Sequence, residues 1–464
     1  MTTMTKALKD LLTEQEFPMC QEMLSQWSGL ITKNKMLSNH YNGKINVKSL
    51  GMAIPPALQN KIKAGMQWSN QAVRRISDIS VIDGFSFSGD TPAGFEAMMS
   101  DNDFIGQYEE TTPSQLTHGC SFWTVTAGDT DKGEPPVVIA SYDALHATAL
   151  YDYRHRRTLC GLVIVDVDVR NPKNPIAFNF YAPNGDIVET WCDKAGNWTG
   201  RRLHTSVGRC LMEVMRNDPD KEHPFGNSVI SPSIMSLEDQ ANSAFVRLIC
   251  TSEFAASIQR WVMGADDSMF DGDAWNQLMG GMLLAPVTDT TNEVLPQVGQ
   301  FPQIDTSPQI KTIRELASLF AAEASIPIHS LLYTEANPAS AEAIEASRYD
   351  LVLKAERVNM LNGATIRNIV MLALSIIQEK PASELGDVER SFTVQWKNPR
   401  MASLAASADA ATKIASEVPG FAGTTTYWRM LGFDAKQAEG IRSEINSAVS
   451  IGARDEENRI KFSS

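Results

Sequence analysis

Residues 339–379 read ASAEAIEASRYDLVLKAERVNMLNGATIRNIVMLALSIIQE. No proline interrupts them, and alanine, glutamate, leucine, arginine and isoleucine dominate, so the stretch predicts one helix. Roughly 40 residues at 1.5 Å of rise make a rod of about 60 Å, well beyond the three or four turns usual in a globular domain. Gly363, beside Asn362, is the expected position of a kink. Upstream, Ser325 to Asn337 reads as a loop that contains Pro327 and ends in Asn337-Pro338, a helix-start signal. Before that loop, Gln309 to Ala324 predicts a short helix, with Lys311 and Glu315 four apart. An irregular stretch from Gln259 to Pro308 precedes it. Ahead of that, Ser231-Pro232 suits an N-cap followed by proline at the first helical position. The helix it opens carries Ile234, Leu237, Ala241, Phe245 and Leu248 as an apolar stripe running to about Ala256. Two helices joined by an irregular insertion, then a loop and an overlong helix, make a poor self-contained globule. Their apolar stripes want neighbours.

The N-terminal half has a different pattern. Leu8, Leu11 and Leu12, then Met23, Leu24 and Trp27, recur at helical spacing, and Pro55-Pro56 opens a further helical stretch through Leu58, Ile62 and Met66. From Gly119 onward, runs rich in Val, Ile, Tyr and Trp (Cys120–Thr126, Val137–Ser141, Leu159–Val169, Ile176–Tyr181, Ile187–Cys192) alternate with turn signals such as Asn184-Gly185-Asp186. This predicts an antiparallel meander. The turn Tyr151 to Arg157, YDYRHRR, is the densest basic spot in the chain and reads as a solvated hairpin end. After Pro381 a short strand, Phe392 to Trp396, leads into an alanine-rich tail of small helices around Met401–Ser416, Thr424–Leu431 and Asp434–Val449. The fold class is α+β.

Composition narrows the function. The chain has 464 residues and a formal net charge of −14, with no long Lys/Arg run, so sequence-specific DNA binding is not expected. The six cysteines are scattered without a C-x-x-C pair and read as small buried residues in a reducing compartment. The segment from Met1 to Asp10 leads into polar amphipathic sequence, so no secretory signal is expected. The longest apolar run, Ile369 to Ile377, falls short of the ~20 residues a bilayer span needs, and no membrane association is expected. The phosphate-cradling G-x-x-x-x-G-K-[ST], H-E-x-x-H and G-x-G-x-x-G are absent. Gly84 to Gly89, GFSFSG, breaks the spacing of a nucleophile elbow. The seven histidines are isolated, and Asp266-Asp267 with Asp271 and Asp273 lack the spacing and glycine of a calcium loop. No catalytic residue, metal site or cofactor is expected, and the chain does not read as an enzyme.

Four segments resemble the portal proteins of tailed double-stranded DNA bacteriophages, in the branch described as SPP-one-like. They are Pro224–Gln240 (PFGNSVISPSIMSLEDQ), Ser252–Asp266 (SEFAASIQRWVMGAD), Leu295–Gln303 (LPQVGQFPQ) and Ser325–Ile344 (SIPIHSLLYTEANPASAEAI). A weaker likeness covers Tyr142–Leu159, so the similarity spans roughly residues 140 to 380, with the N-terminal hundred residues departing most. The resemblance implies a ring of twelve copies around an axial channel. Residues 1–230 would form the N-terminal wing, 231–257 the first stem helix, 258–306 an α/β clip and 307–324 the second stem helix. The tunnel loop would take 325–338, a long kinked helix with more wing 339–398, and a helical crown 399–464. In that scheme His329, Ser330, Tyr333, Thr334, Glu335 and Asn337 face DNA in the channel. Trp261, Asp266, Asp267, Asp271 and Trp275 meet partners at the clip, the tryptophans being equally open to burial within the ring. The implied partners are other copies of the chain, the terminase large subunit, a head-to-tail adaptor, the major capsid and scaffolding proteins, and double-stranded DNA passing without sequence preference. The implied place is the virion's portal vertex, after synthesis in the host cytoplasm. The rival readings are another phage structural protein or a monomeric phage-encoded enzyme.

Overall fold

The structure is a computed structural model, and it describes residues 2–44, 65–256, 260–263, 297–300, 302, 304–331, 341–400, 404–434 and 437–445. In chain order the helices and strands are α1 (Thr2–Leu11), α2 (Glu16–Tyr41), α3 (Trp68–Ser77), β1 (Ile82–Ser86), α4 (Phe95–Asp101), α5 (Phe104–His118), β2 (Cys120–Ala127), β3 (Val137–Tyr142), β4 (Ala147–Asp152), β5 (Arg157–Val167), β6 (Pro175–Tyr181), β7 (Ile187–Cys192), β8 (Trp198–Leu203), β9 (Met212–Arg216), α6 (Pro232–Ala256), β10 (Arg260–Met263), β11 (Gln297–Gln300), α7 (Ser307–Ala324), α8 (Ala341–Ile377), α9 (Asp387–Arg390), β12 (Thr393–Trp396), α10 (Leu404–Glu417) and α11 (Thr425–Met430). The chain divides into two compact units. The first comprises 1–41, 70–231 and 337–464, and the second 42–69 and 232–336.

In the first unit the five runs expected to form one meander divide between two sheets: β5, β6 and β7 lie in a five-stranded antiparallel sheet of order β4-β5-β6-β7-β8, whereas β2 and β3 belong to a three-stranded sheet of order β3-β2-β9. The turns of the five-stranded sheet are short because the turn residues are suited to them: Gly185 and Gly196 both sit at positive φ between paired strands, where a β-carbon would be strained. One face buries Cys160, Leu162, Ile164, Phe178, Phe180 and Val188 against Leu8, Leu12, Cys20, Met23, Trp27 and Ile31 of α1 and α2. The Trp27 indole N–H donates to the Leu145 carbonyl at 2.8 Å, and the Asn34 amide to that of Ala144 at 2.8 Å. Burial pushes the Cys20 thiol up to about 12, which makes it a small core residue and not a nucleophile. The sheet's other face, through Val163, Tyr181 and Ile187, joins a second core with the three-stranded sheet β3-β2-β9.

That second core is organised around α8. The helix is 37 residues long, about 55 Å, and its helical run continues unbroken through Gly363. A β-carbon at Gly363 would lie 3.5 Å from the Trp396 indole nitrogen, an ordinary van der Waals contact, so the glycine faces β12 without being required for its approach. Ile366 and Ile369 to Leu374 are buried among Phe104, Tyr108, Trp123 and Phe392. By length and composition the stretch from Ala346 to Ile377 is apolar enough to cross a membrane, which the uninterrupted run Ile369–Ile377 did not foreshadow. Half of its most apolar window is buried within the fold, as befits the core helix of a globular unit.

Two buried polar assemblies hold this unit in register. Gln115 donates to Asn362 at 2.8 Å and accepts from it at 3.1 Å, and Asn362 also donates to the Tyr108 hydroxyl at 3.2 Å. Ser80 continues the network, standing 3.0 Å from the Tyr108 hydroxyl and donating to Asn359 at 2.5 Å. At the outer sheet edge, Arg202 holds Glu16 with both terminal nitrogens at 2.8 Å and Asp186 through Nε at 2.8 Å. Burial pushes both carboxyls up, but the hydrogen bonds and charge of Arg202, aided by Thr13 and Asn184, outweigh it and hold both below the usual carboxylate range.

Asn362→Leu leaves the Gln115 amide without its partner in a dry core and is expected to lower stability by about 3 kcal/mol in urea unfolding, while Gln115→Leu/Asn362→Leu recovers at least half of that loss. Arg202→Met strands two buried carboxylates at an expected cost of about 3–5 kcal/mol near pH 7. Depressed carboxyls stabilise the wild type above their ordinary pKa, and that contribution is lost as pH falls through their folded values. In the variant the unpaired carboxyls are raised, so protonation favours its folded state. The gap in unfolding midpoint therefore narrows between pH 7 and about pH 3; a constant gap would show that Arg202 acts only through packing.

Candidate functional site

The second unit carries the segments singled out as stem, clip and tunnel loop. Its frame is the pair α6 and α7, which pack against each other. Proline at the start of each helix ends the preceding loop: Pro232 after Ser231, and Pro308 in the first turn of α7. The face of α7 that turns inward is Ile313, Ala317, Phe320, Ala321 and Ala324, spaced three and four apart. Small residues at Ala317, Ala321 and, on α6, Ala241 permit close approach of the helix backbones.

On α6 the buried positions are Ile234, Glu238, Ala241, Asn242, Ala244 and Val246. The stripe expected from the sequence is therefore rotated: Leu237, Phe245 and Leu248 are half-buried, because the covering surface selects the face, and part of that surface comes from the segment around Trp68. The Trp68 ring lies 5.3 Å from that of Phe320. Glu238, fully buried, accepts from the Ser69 amide at 3.1 Å and the Ser69 hydroxyl at 2.5 Å. One turn further on, Asn242 accepts from the Met66 amide at 2.7 Å. A carboxylate at the first turn of α3 suits the positive end of its dipole. Sequence reasoning passed over Glu238 and Asn242; the signal was a charged and an amide side chain set four apart inside an apolar stripe.

The clip segment is described at its two strands. β10 and β11 pair antiparallel, with Trp261 opposite Gly299 and Val262 opposite Val298. A β-carbon at Gly299 would stand 2.4 Å from the Trp261 ring, so the half-buried indole covers its cross-strand glycine. Met263 next to it is 59% exposed. Asp266, Asp267, Asp271 and Trp275 lie outside the described residues.

The tunnel-loop segment is described up to Leu331. α7 ends with Ser325 in the left-handed conformation, φ 56°, and the Ile326 amide returns to the Ala321 carbonyl at 3.0 Å. Ile326 and Pro327 are buried and anchor the turn, and a single 3-10 turn, Ile328–Ser330, follows. His329 is exposed and Ser330 half-buried on that turn. Tyr333, Thr334, Glu335 and Asn337 lie outside the described residues. The exposed ionic side chains of the two helices, Asp239 and Arg247 on α6 and Lys311, Arg314, Glu315 and Glu323 on α7, are of mixed sign. Among the described residues no group of three or more His, Cys, Asp or Glu side chains is placed to hold a metal ion. Among the described residues the arrangement is a helical pair with a two-stranded antiparallel ladder after the first helix and an anchored turn after the second, which can position surfaces.

Glu238→Ala is expected to lower stability by about 2 kcal/mol, because the Ser69 amide and hydroxyl lose their acceptor. Hydrogen exchange should speed up at residues 66 to 69 well before the α6 amides respond. Uniform acceleration throughout the chain would show that Glu238 does not act locally on that segment.

A family model described as "Phage portal protein, SPP1 Gp6-like" matches residues 23–450. Portal proteins of Mycobacterium phage L5 and Mycobacterium phage D29 are each 23% identical, over 445 and 450 residues, covering 93% of this chain and 89% of the relative. Among solved structures, the chain is similar to one in the neck of a native gene transfer agent particle computed with C12 symmetry (TM-score 0.44, 10% identity, 84% of this chain and 99% of that one). Another is in the neck of an empty particle of that kind computed with C6 symmetry (TM-score 0.46, 12% identity, 83% and 95%).

Proposed function

The chain belongs to the SPP1 Gp6-like family of phage portal proteins, and from that premise we propose how its segments act in a head-to-tail connector. Family membership over residues 23–450 carries the reading. It favours a connector subunit over a monomeric enzyme and over a capsid or adaptor protein. Copies of the chain close into a ring at one vertex of the phage head, and DNA enters and leaves through its axis. Heterologous contacts repeated around a rotation axis close without exposed ends, and they give the apolar faces of α6 and α8 the neighbours that one chain lacks.

Within the ring, α6 and α7 form the stem, the segment 258–306 the clip and the segment 325–338 the tunnel loop. His329, Ser330, Tyr333, Thr334, Glu335 and Asn337 face the passing duplex. The anchored turn at Ile326-Pro327 supports this role, since it holds the start of the loop while leaving His329 exposed. Trp261, Asp266, Asp267, Asp271 and Trp275 serve the terminase large subunit during packaging and the adaptor afterwards. Met263, exposed beside Trp261, adds apolar surface to that hairpin. Major capsid and scaffolding proteins surround the ring, and residues 399–464 form its crown. A separate ATPase drives packaging, and the ring is a conduit.

Net charge fits a conduit. A ring of twelve such chains carries a formal −168, twelve times the −14 of one chain. A channel lined with acidic and neutral groups repels phosphates and lets DNA slide, whereas a lysine-lined one would hold it.

Negative-stain images of the purified protein should show rings with a central hole, and its mass should be near twelve subunits, roughly 0.6 MDa. A stable monomer under all conditions would overturn the reading. Replacing Tyr333, Thr334 and Glu335 with glycine and serine should leave the ring mass unchanged while DNA packaging or retention falls; unaltered packaging would remove the loop from the mechanism.

A further inference from the structure

The basic turn between β4 and β5 has no task in the connector scheme, yet it is built in detail. Asp152 pairs across the hairpin with Arg157. Its carboxylate accepts from the backbone amides of Arg154 (2.9 Å) and His155 (3.1 Å), and from the His155 ring at 2.5 Å. The one carboxylate of the tip is thus committed to shaping the turn. Arg154, Arg156 and Arg157 are all exposed, and among the described residues none of these guanidiniums lies within 4.0 Å of a carboxylate oxygen.

Two further observations set this tip apart from an ordinary solvated end. Arg156 has φ 54°, in the left-handed region, at a position where glycine or asparagine would be the cheaper choice. The base of the tip is stiffened by aromatic packing. The Tyr151 ring meets Tyr153 at 5.3 Å and Phe225 at 5.8 Å, both edge-on, and the Arg216 guanidinium lies 5.6 Å from its centroid. Tyr153 itself remains 68% exposed.

We propose that this hairpin tip, Tyr153 to Arg157, is a binding site for the phosphate backbone of duplex DNA, separate from the channel segments of the other unit. Arginine forks match phosphate oxygens and tyrosine hydroxyls supplement them. A convex polar tip with one exposed ring lacks the apolar centre that a protein interface needs. In a chain with 41 basic and 55 acidic residues, three exposed guanidiniums on one turn, without a carboxylate partner among the described residues, localise a polyanion that a net negative surface repels. The choice of DNA over another polyanion rests on the portal reading.

The test uses the full-length assembled protein, a fluorescent 30-base-pair duplex of random sequence, and anisotropy between 50 and 200 mM salt. Three phosphate contacts predict that wild-type affinity falls roughly 40-fold over that range, from a salt slope of about −0.9 per contact. Arg154→Gln/Arg156→Gln/Arg157→Gln should bind more weakly and lose most of that slope. Arg156→Gly should melt no earlier than the wild type, since it relieves the left-handed backbone, while its slope falls by about one contact. A purely structural role for Arg156 would not divide stability from binding in this way. Unchanged affinity and slope in the triple variant would overturn the proposal. So would displacement of the duplex by polyglutamate at equal charge concentration, which would mark the tip as a dock for acidic protein. Ring mass, measured on the same samples, judges the portal reading independently of the salt slope.

Discussion

The reciprocal amide pair between Gln115 and Asn362 is the constraint on which the first unit depends. A helix that is apolar around most of its circumference can pack at several axial positions, because hydrophobic burial has no direction and each slip of one turn buries a similar area. Hydrogen bonds in a dry core are different, since a slip leaves two amides and the Tyr108 hydroxyl without partners. The network from Ser80 through Tyr108 to Asn359 and Asn362 therefore sets where α8 meets α5. Once that is set, Ile366 to Leu374 fall among Phe104, Trp123 and Phe392, and Gly363 comes opposite Trp396.

The same logic recurs at smaller scale. Arg202 ties the start of α2 to the last strand of the meander through two buried carboxylates, and Glu238 with Asn242 straps residues 66 to 69 onto α6. In each case segments far apart in sequence are joined by polar groups that would be costly to bury singly. Buried polar groups thus give register, while the apolar stripes provide bulk cohesion. The segments proposed to act in the connector lie outside these fixed parts. The β10-β11 ladder follows α6 in the chain, the segment after α7 begins with an anchored turn, and the basic tip joins β4 to β5.

Much of the architecture was legible beforehand because its signals are local. Turn residues such as Asn184-Gly185 and the flanking runs rich in Val, Ile, Tyr and Trp marked β6 and β7, and Ser231-Pro232 marked the start of α6. The long helix was read to within two residues of its observed ends, since helix propensity over a long proline-free run leaves little choice. Strands β1, β4, β8 and β9 were missed. WTGRRL has two consecutive arginines, which put charge on both faces of the strand, and a glycine in its centre, and MEVMR is too short to show a period. The inward face of α6 was misjudged at Leu237, Phe245 and Leu248, because an apolar stripe wider than its partner does not say which edge is covered. Of the residues named as channel-facing or clip contacts, His329, Ser330 and Trp261 fall within the described structure, and Trp261 proves to rest on Gly299 of the paired strand.

By itself the sequence determined the long helices and the strands with strong turn signals, the α+β class, the absence of familiar catalytic motifs and the likeness to phage portal proteins, all of which follow from local propensity, spacing and motif. The tertiary structure alone decided which faces are inside and which polar residues meet. It joined Gln115 with Asn362, Arg202 with Glu16, Glu238 with Ser69, and Tyr151 with Phe225 and Arg216. These pairings depend on the path of the chain between distant positions. Hydrophobic periodicity carries no information about that path, whereas a buried hydrogen bond is made or lost with a displacement of a single ångström.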